Sequence, residues 1–187
     1  MKGAERTTAV LDFGHGERRR RTVRAKPEQG AAKDANPGDR AAVLDLLNAA
    51  LATKLDGALR YRRHHFMARS LASRRICDEL LVHSDEELSH ADLIADRIVA
   101  LGGEPDYSPA SLLQQSRAPC VRAASIIDLI TENLVAARSA FDSYRELIAQ
   151  LREDDPTTRR MLEGILAVKE AHADELAELL QGASKTG

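Results

Sequence analysis

The sequence predicts an all-α fold, an antiparallel four-helix bundle with one long crossover between helices 2 and 3. Three observations carry this. Four long segments repeat apolar residues at helical spacing. The composition is 43% hydrophobic but only 3% aromatic, with no Trp, and such Ala- and Leu-rich chains suit helices better than strands, which favour β-branched and aromatic residues. The first and second segments are closely joined, as are the third and fourth. Each pair is therefore a hairpin, and the longer middle link must cross the bundle.

Residues 1–38 come first. They are rich in Gly, Pro, Arg and Lys, lack apolar periodicity and end in Asn36-Pro37-Gly38, so a disordered basic tail is expected. The first 40 residues carry 10 basic and 6 acidic side chains, a net of +4; the other 147 carry 17 and 23, a net of -6. Residues 39–181 form the expected bundle, and 182–187 a short flexible C-terminus.

The first helix is expected from about Asp39 to Leu71, with Leu44, Leu47, Leu51, Lys54, Ala58, Tyr61 and His65 inward. The second runs from about Ser73 to Leu101, its inward face made of Ile76, Leu80, His83, Glu87, Ala91, Ile94 and Ile98. Gly102-Gly103 stops it, where glycine relieves a left-handed terminal residue. The link from Glu104 to Ala118 holds two prolines and scattered polar residues. The third helix spans roughly Arg122 to Arg152. Asp154-Asp155-Pro156 opens the fourth, an acidic cap with proline in the first turn, and Leu162, Ile165, Lys169, His172 and Leu176 face inward to about Leu180.

Cys77 and Cys120 show no metal-type or redox-type spacing and read as free thiols of a reducing cytoplasm. No apolar run is long enough for a bilayer, and no apolar stretch with a cleavage site opens the chain, so neither membrane nor export is expected.

Helix bundles that hold two metal ions use one Glu from each of two helices and Glu-x-x-His from each of the other two. Residues three apart share a helix face, so one helix can offer both a carboxylate and an imidazole. The second helix offers Glu87 and His90, and the third offers Glu132. The fourth offers His172, but Lys169 stands three residues before it, and the inward position on the first helix is Lys54. Asp56 lies two residues from Lys54 and Glu170 two residues from His172, each on another face of its helix. Charge balance suggests that Glu87 and Glu132 pair with Lys54 and Lys169, the ammonium groups standing where ions would sit.

These pieces carry a resemblance. Leu46-Leu47-Asn48 through Tyr61, Asp85-Glu86-Glu87-Leu88-Ser89-His90-Ala91-Asp92, Leu101-Gly102-Gly103-Glu104-Pro105, Asp128 to Glu132, and Gly164-Ile165-Leu166 leading to His172 resemble a bacterioferritin subunit and the bacterioferritin-like members of the Dps group. The likeness covers residues 42–181. It implies a ferritin-like bundle in which Glu87 bridges two irons, His90 binds the first, and Glu132 and His172 bind the second. It places Lys54 at the first iron's terminal Glu and Lys169 at the second bridging Glu. Leu88 falls where bacterioferritins carry a haem-binding Met, so no haem is expected. The fifth short helix of bacterioferritins is not expected after Leu180, which leaves dimers and smaller shells open.

Bland readings stand beside these. Tyr61 either supports a metal site or fills the core, and His83 either steadies a metal ligand from behind or is a satisfied core histidine. His64 and His65 read as surface or interface. Arg18, Arg19, Arg20, Arg21, Arg24 and Lys26 form a basic run that either contacts nucleic-acid phosphates or is merely solvated. The leading functional expectation is a non-catalytic member of the iron storage and homeostasis family, assembling with itself or with an active paralogue. It would bind no certain cofactor, or one weakly held iron or other divalent metal. The alternatives are an active ferroxidase with a modified centre and a Dps-like DNA-binding stress protein.

Overall fold

The computed structural model describes residues 37–70, 74–115, 125–151 and 155–185. The expected basic tail, with Arg18, Arg19, Arg20, Arg21, Arg24 and Lys26, and the thiol Cys120 lie outside them. Five helices follow in order among the described residues: α1 Pro37–Ala68, α2 Arg74–Ala100, α3 Pro109–Gln115, α4 Ile126–Gln150 and α5 Pro156–Lys185. Helices α1 and α2 pack as one hairpin and α4 and α5 as the other, with α1 against α4 and α2 against α5. Among the described residues there is no strand, and no helix is long and apolar enough to cross a membrane.

The helix ends follow local chemistry. At the end of α2, Gly102 N–H donates to Val99 O at 2.8 Å and Gly103 N–H to Ile98 O at 2.9 Å. This paired closure needs a left-handed residue, and Gly102 supplies φ 77°. Ser125 caps α4 in a reciprocal box with Asp128, so that helix opens at Ile126 rather than near Arg122. Asp155 accepts from the Thr158 backbone N–H at 3.1 Å, with Pro156 at the first helical position. Helix α5 continues to Lys185, past the expected end at Leu180.

One element escaped the sequence reading. Helix α3 lies within the crossover, opened by Pro109 and by the Ser108 N–H bond to Asp106 Oδ1. It is too short to show periodicity.

The core has two apolar ends and a polar layer between them. At one end Leu47, Leu51, Ile94, Ile98, Leu162 and Ile165 are buried, fastened by Arg97 of α2 to Asp155, just ahead of α5, and to Thr158 in its first turn. At the other, Tyr61, Leu80, Leu129, Ile130, Leu134 and Leu176 pack together. Between them Lys54, His83, Ser84, Glu87, Asn133, Lys169 and His172 are buried. Burying so many polar groups is costly unless they pair, so their pairing is the question the fold poses.

Candidate functional site

Four of the singled-out side chains lie on the inward stripes that the sequence set for them. Lys54 of α1, Glu87 of α2, and Lys169 and His172 of α5 are all at least 95% buried. The stripe of α1 turns after Tyr61, however, and continues through His64 and Ala68 instead of His65. His64, read as a surface residue, is fully buried.

Glu87 is the centre of the layer. Lys54 Nζ lies 3.3 Å from its Oε2, and Lys169 Nζ is paired with its Oε1. One carboxylate thus holds two ammonium groups, one on each oxygen. The expected division, with Glu87 and Glu132 each taking a lysine, is therefore corrected: Glu132 sits at the edge of α4 with its Oε2 3.5 Å from His64 Nε2. It lies beside the inward stripe of Leu129, Asn133 and Ala137, not on it.

Aromatic faces complete both ammonium sites. Lys54 Nζ lies 5.1 Å from the centre of the Tyr144 ring, and Lys169 Nζ lies 5.8 Å from that of Tyr61, within range of cation–π attraction. Tyr144 was not anticipated, though it continues the Leu129, Asn133, Ala137 stripe. Its hydroxyl donates to Ala50 O at 3.3 Å. The Lys54 ammonium also reaches His90 Nδ1 at 3.4 Å. Lys54 therefore touches both Glu87 and His90, the Glu-x-x-His pair of α2.

Gly57 makes room for the carboxylate. A Cβ there would lie 2.9 Å from Glu87 Oε2 and 3.3 Å from its Cδ. A mid-helix glycine costs about 0.5–1 kcal/mol relative to alanine, and here the close approach accounts for it.

The electrostatics follow from burial. Desolvation would raise the Glu87 carboxyl, but Lys169 and Lys54 together hold it below its usual range. Burial pushes the Lys54 ammonium down to about 7, with Glu87 opposing and Lys169 adding to the fall. Burial, then Lys54, pushes His90 down to about 4. Burial, His83 and Lys169 do the same to His172, also to about 4. Burial lowers His64 as well, against the pull of Glu132. Tyr61 and Tyr144 are both raised, by burial first and by Glu87 second.

A second cluster flanks this centre. His83 Nε2 lies 3.0 Å from Glu175 Oε2, and His172 Nε2 lies 2.5 Å from Glu86 Oε2. The two imidazoles stack at 4.1 Å with 20° between their planes, and His83 meets the edge of Tyr61 at 5.2 Å. Neither Glu86 nor Glu175 was singled out in the sequence, because partly exposed acids on helices look like an ordinary solvated face. The spacing His-x-x-Glu, present in both α2 and α5, was the available signal.

Comparisons with known proteins agree with this architecture. Residues 44–185 match the model of the ferritin-like domain family. The chain is 32% identical over 146 residues to a bacterioferritin of Mycobacterium avium, spanning 78% of this chain and 87% of that protein. A bacterioferritin of Mycobacterium leprae is 32% identical over 135 residues, covering 72% and 80%. Among solved structures, a dodecameric thioferritin, the bacterioferritin-related protein from Bacteroides fragilis, superposes with a TM-score of 0.72 at 25% identity, over 89% of this chain and 96% of that one. A Dps1 mutant from Mycobacterium smegmatis superposes with a TM-score of 0.71 at 17% identity, over 78% and 99%, a likeness of fold.

Proposed function

Because this chain belongs to the ferritin-like family, we propose that it is a subunit of the iron storage and homeostasis class whose di-iron centre is closed by its own lysines. The observation that carries this is the pair of ammonium groups on the two oxygens of Glu87. In a di-iron bundle the same carboxylate would bridge two ions, balanced by three more carboxylates. Here Lys54 and Lys169 replace two of those, and Glu132 lies with His64. The residues do not fit a pair of irons: two divalent cations would meet buried ammonium groups and too little negative charge. No oxidation step is assigned to this centre.

The chain's role is then structural. It would assemble with copies of itself, or with a paralogue that retains the centre, in the cytoplasm. Leu59 and Phe66 on α1 and Val82, Leu88, Leu93 and Val99 on α2 are large apolar side chains at least 40% exposed, which supports an assembly covering them. Leu88 offers no ligand atom to a haem. The basic tail is a proposed nucleic-acid contact, and loss of a DNA gel shift on deleting residues 1–35 would support that role.

Oxidation kinetics test the reading. Protein mixed anaerobically with ferrous iron and then exposed to air should oxidise it no faster than the iron-only blank. The Lys54→Glu/Lys169→Glu variant should oxidise it faster. Rapid, saturable oxidation by the unaltered chain would instead favour an active ferroxidase with a modified centre. The lowered Lys54 gives that alternative its foothold, since a neutral amine is easier to displace than an ammonium.

A further inference from the structure

We propose that His83 and Glu86 of α2, with His172 and Glu175 of α5, form a site for a single divalent cation of the zinc class, beside the lysine-closed centre. The two helices contribute equally. Each places one imidazole and one carboxylate three residues apart on one face, and the groups pair crosswise between the helices: His83 with Glu175, His172 with Glu86. Ligand atoms of His83, Glu86 and His172 all lie within 4.8 Å of one another. Ligands about 2.0–2.2 Å from a tetrahedral zinc stand roughly 3.3 Å apart, so shifts on the order of an ångström would close the set.

Charge and exposure fit a single ion. Two carboxylates neutralise a dication, and the donor set of two imidazoles and two carboxylates suits borderline metals better than magnesium or calcium. The imidazoles are at least 95% buried and hold their orientation, while the side chains of Glu86 and Glu175 are 43% and 55% exposed. The site therefore has a rigid floor and an open mouth.

A second observation points to a ligand. Glu86 Oε2, which faces His172 Nε2, is buried without a hydrogen-bond partner among the described residues, as are His83 Nδ1 and His172 Nδ1. Leaving a buried polar atom unsatisfied is costly, and buried orphans of this kind mark places where an ion or water completes the set. His83 and Glu175 form a hydrogen bond, but Glu86 Oε2 and His172 Nε2 face each other without one, and an ion between the helices would complete that contact. Glu79, which lies near His83 and Glu175, adds negative charge at the mouth. The inherited centre shares only His172 with this site. Of its other members, Glu87 and His90 are engaged by lysine, and Glu132 lies 3.5 Å from His64.

The test uses the full chain, stripped with chelator and titrated with cobalt(II) as the spectroscopic probe. Expected are d–d bands of tetrahedral intensity saturating at one ion per chain, displacement by zinc, and a rise in Tm with zinc. His83→Gln and Glu86→Gln should each weaken binding by about tenfold or more. Glu86 is partly exposed, so its variant keeps the test meaningful if His83→Gln folds poorly. His90→Gln should bind cobalt as the unaltered chain does. Absence of saturable binding would overturn the proposal. So would binding lost in His90→Gln and retained in His83→Gln, which would place the ion at the inherited centre. Neither result depends on whether the lysines block iron oxidation.

Discussion

Two neighbouring groups of buried charge in this bundle solve the same problem in opposite ways. At Glu87, one carboxylate is shared by two ammonium groups and shielded by Tyr61 and Tyr144. In the flanking cluster, two imidazoles are each met by a separate carboxylate, and nitrogens are left over. The first arrangement balances its charges internally, one ammonium on each carboxylate oxygen. The second keeps lone pairs in hand and opens to solvent. Helices α2 and α5 serve both groups, but α1 adds the second ammonium, Lys54, only to the first, and that group is the one closed off from solvent.

The largest expected effect is at the sealed group. Glu87→Gln would leave two buried ammonium groups without a counter-charge, and removing one partner of a buried ion pair costs on the order of 3–5 kcal/mol. Urea unfolding should show a loss of that size. Glu86→Gln, at a partly exposed pair, should cost less than about 1 kcal/mol. Equal losses at the two sites would erase the contrast. The complementary variant replaces all three charges, as Lys54→Met/Glu87→Leu/Lys169→Met. Buried ion groups often exchange for apolar residues without loss, so this triple variant should unfold within about 1 kcal/mol of the unaltered chain or above it.

Gly57 offers a smaller and sharper test. Helix propensity alone makes Gly57→Ala stabilising by about 0.8–1 kcal/mol. The added Cβ would meet Glu87 Oε2 at 2.9 Å, so the sign should reverse, with a loss of about 1–3 kcal/mol from overpacking. A gain in Tm would mean that Glu87 is not held against α1.

The smallest effect is with pH. In the metal-free protein, His90 and His172 are held down to about 4 and His64 is also lowered. Between pH 6.5 and 4 the unfolded chain therefore binds protons that the folded chain refuses, and stability should fall as pH falls through that window. Lys54 acts in the alkaline range. With its pKa lowered to about 7, the unfolded chain holds more protons from pH 7 toward 10, so this group makes stability rise with pH there. Thermal unfolding across pH should show the alkaline rise lost in Lys54→Met.

Much of this was legible in the sequence, and the gaps have physical causes. The four long helices, the Gly102-Gly103 stop and the Asp155-Pro156 start follow from local chemistry, which a sequence states directly. The burial of Lys54, Glu87, Lys169 and His172 follows from periodicity. Periodicity assigns a face but not a partner, so it could not show both lysines on Glu87 or Glu132 beside His64. His64 was misplaced because it stands next to His65, and only the exact turn of the stripe decides between adjacent residues. Tyr144 sat unread on a stripe already in view, and Glu86 and Glu175 hid among ordinary surface acids.

The most direct test of the central claim is a crystal soaked anaerobically in ferrous iron, examined by anomalous scattering around Glu87. No iron is expected on either side of that carboxylate in the unaltered chain, with Lys54 and Lys169 Nζ still on its two oxygens. Two well-occupied irons bridged by Glu87 and held by Glu132, with the lysines displaced, would contradict it.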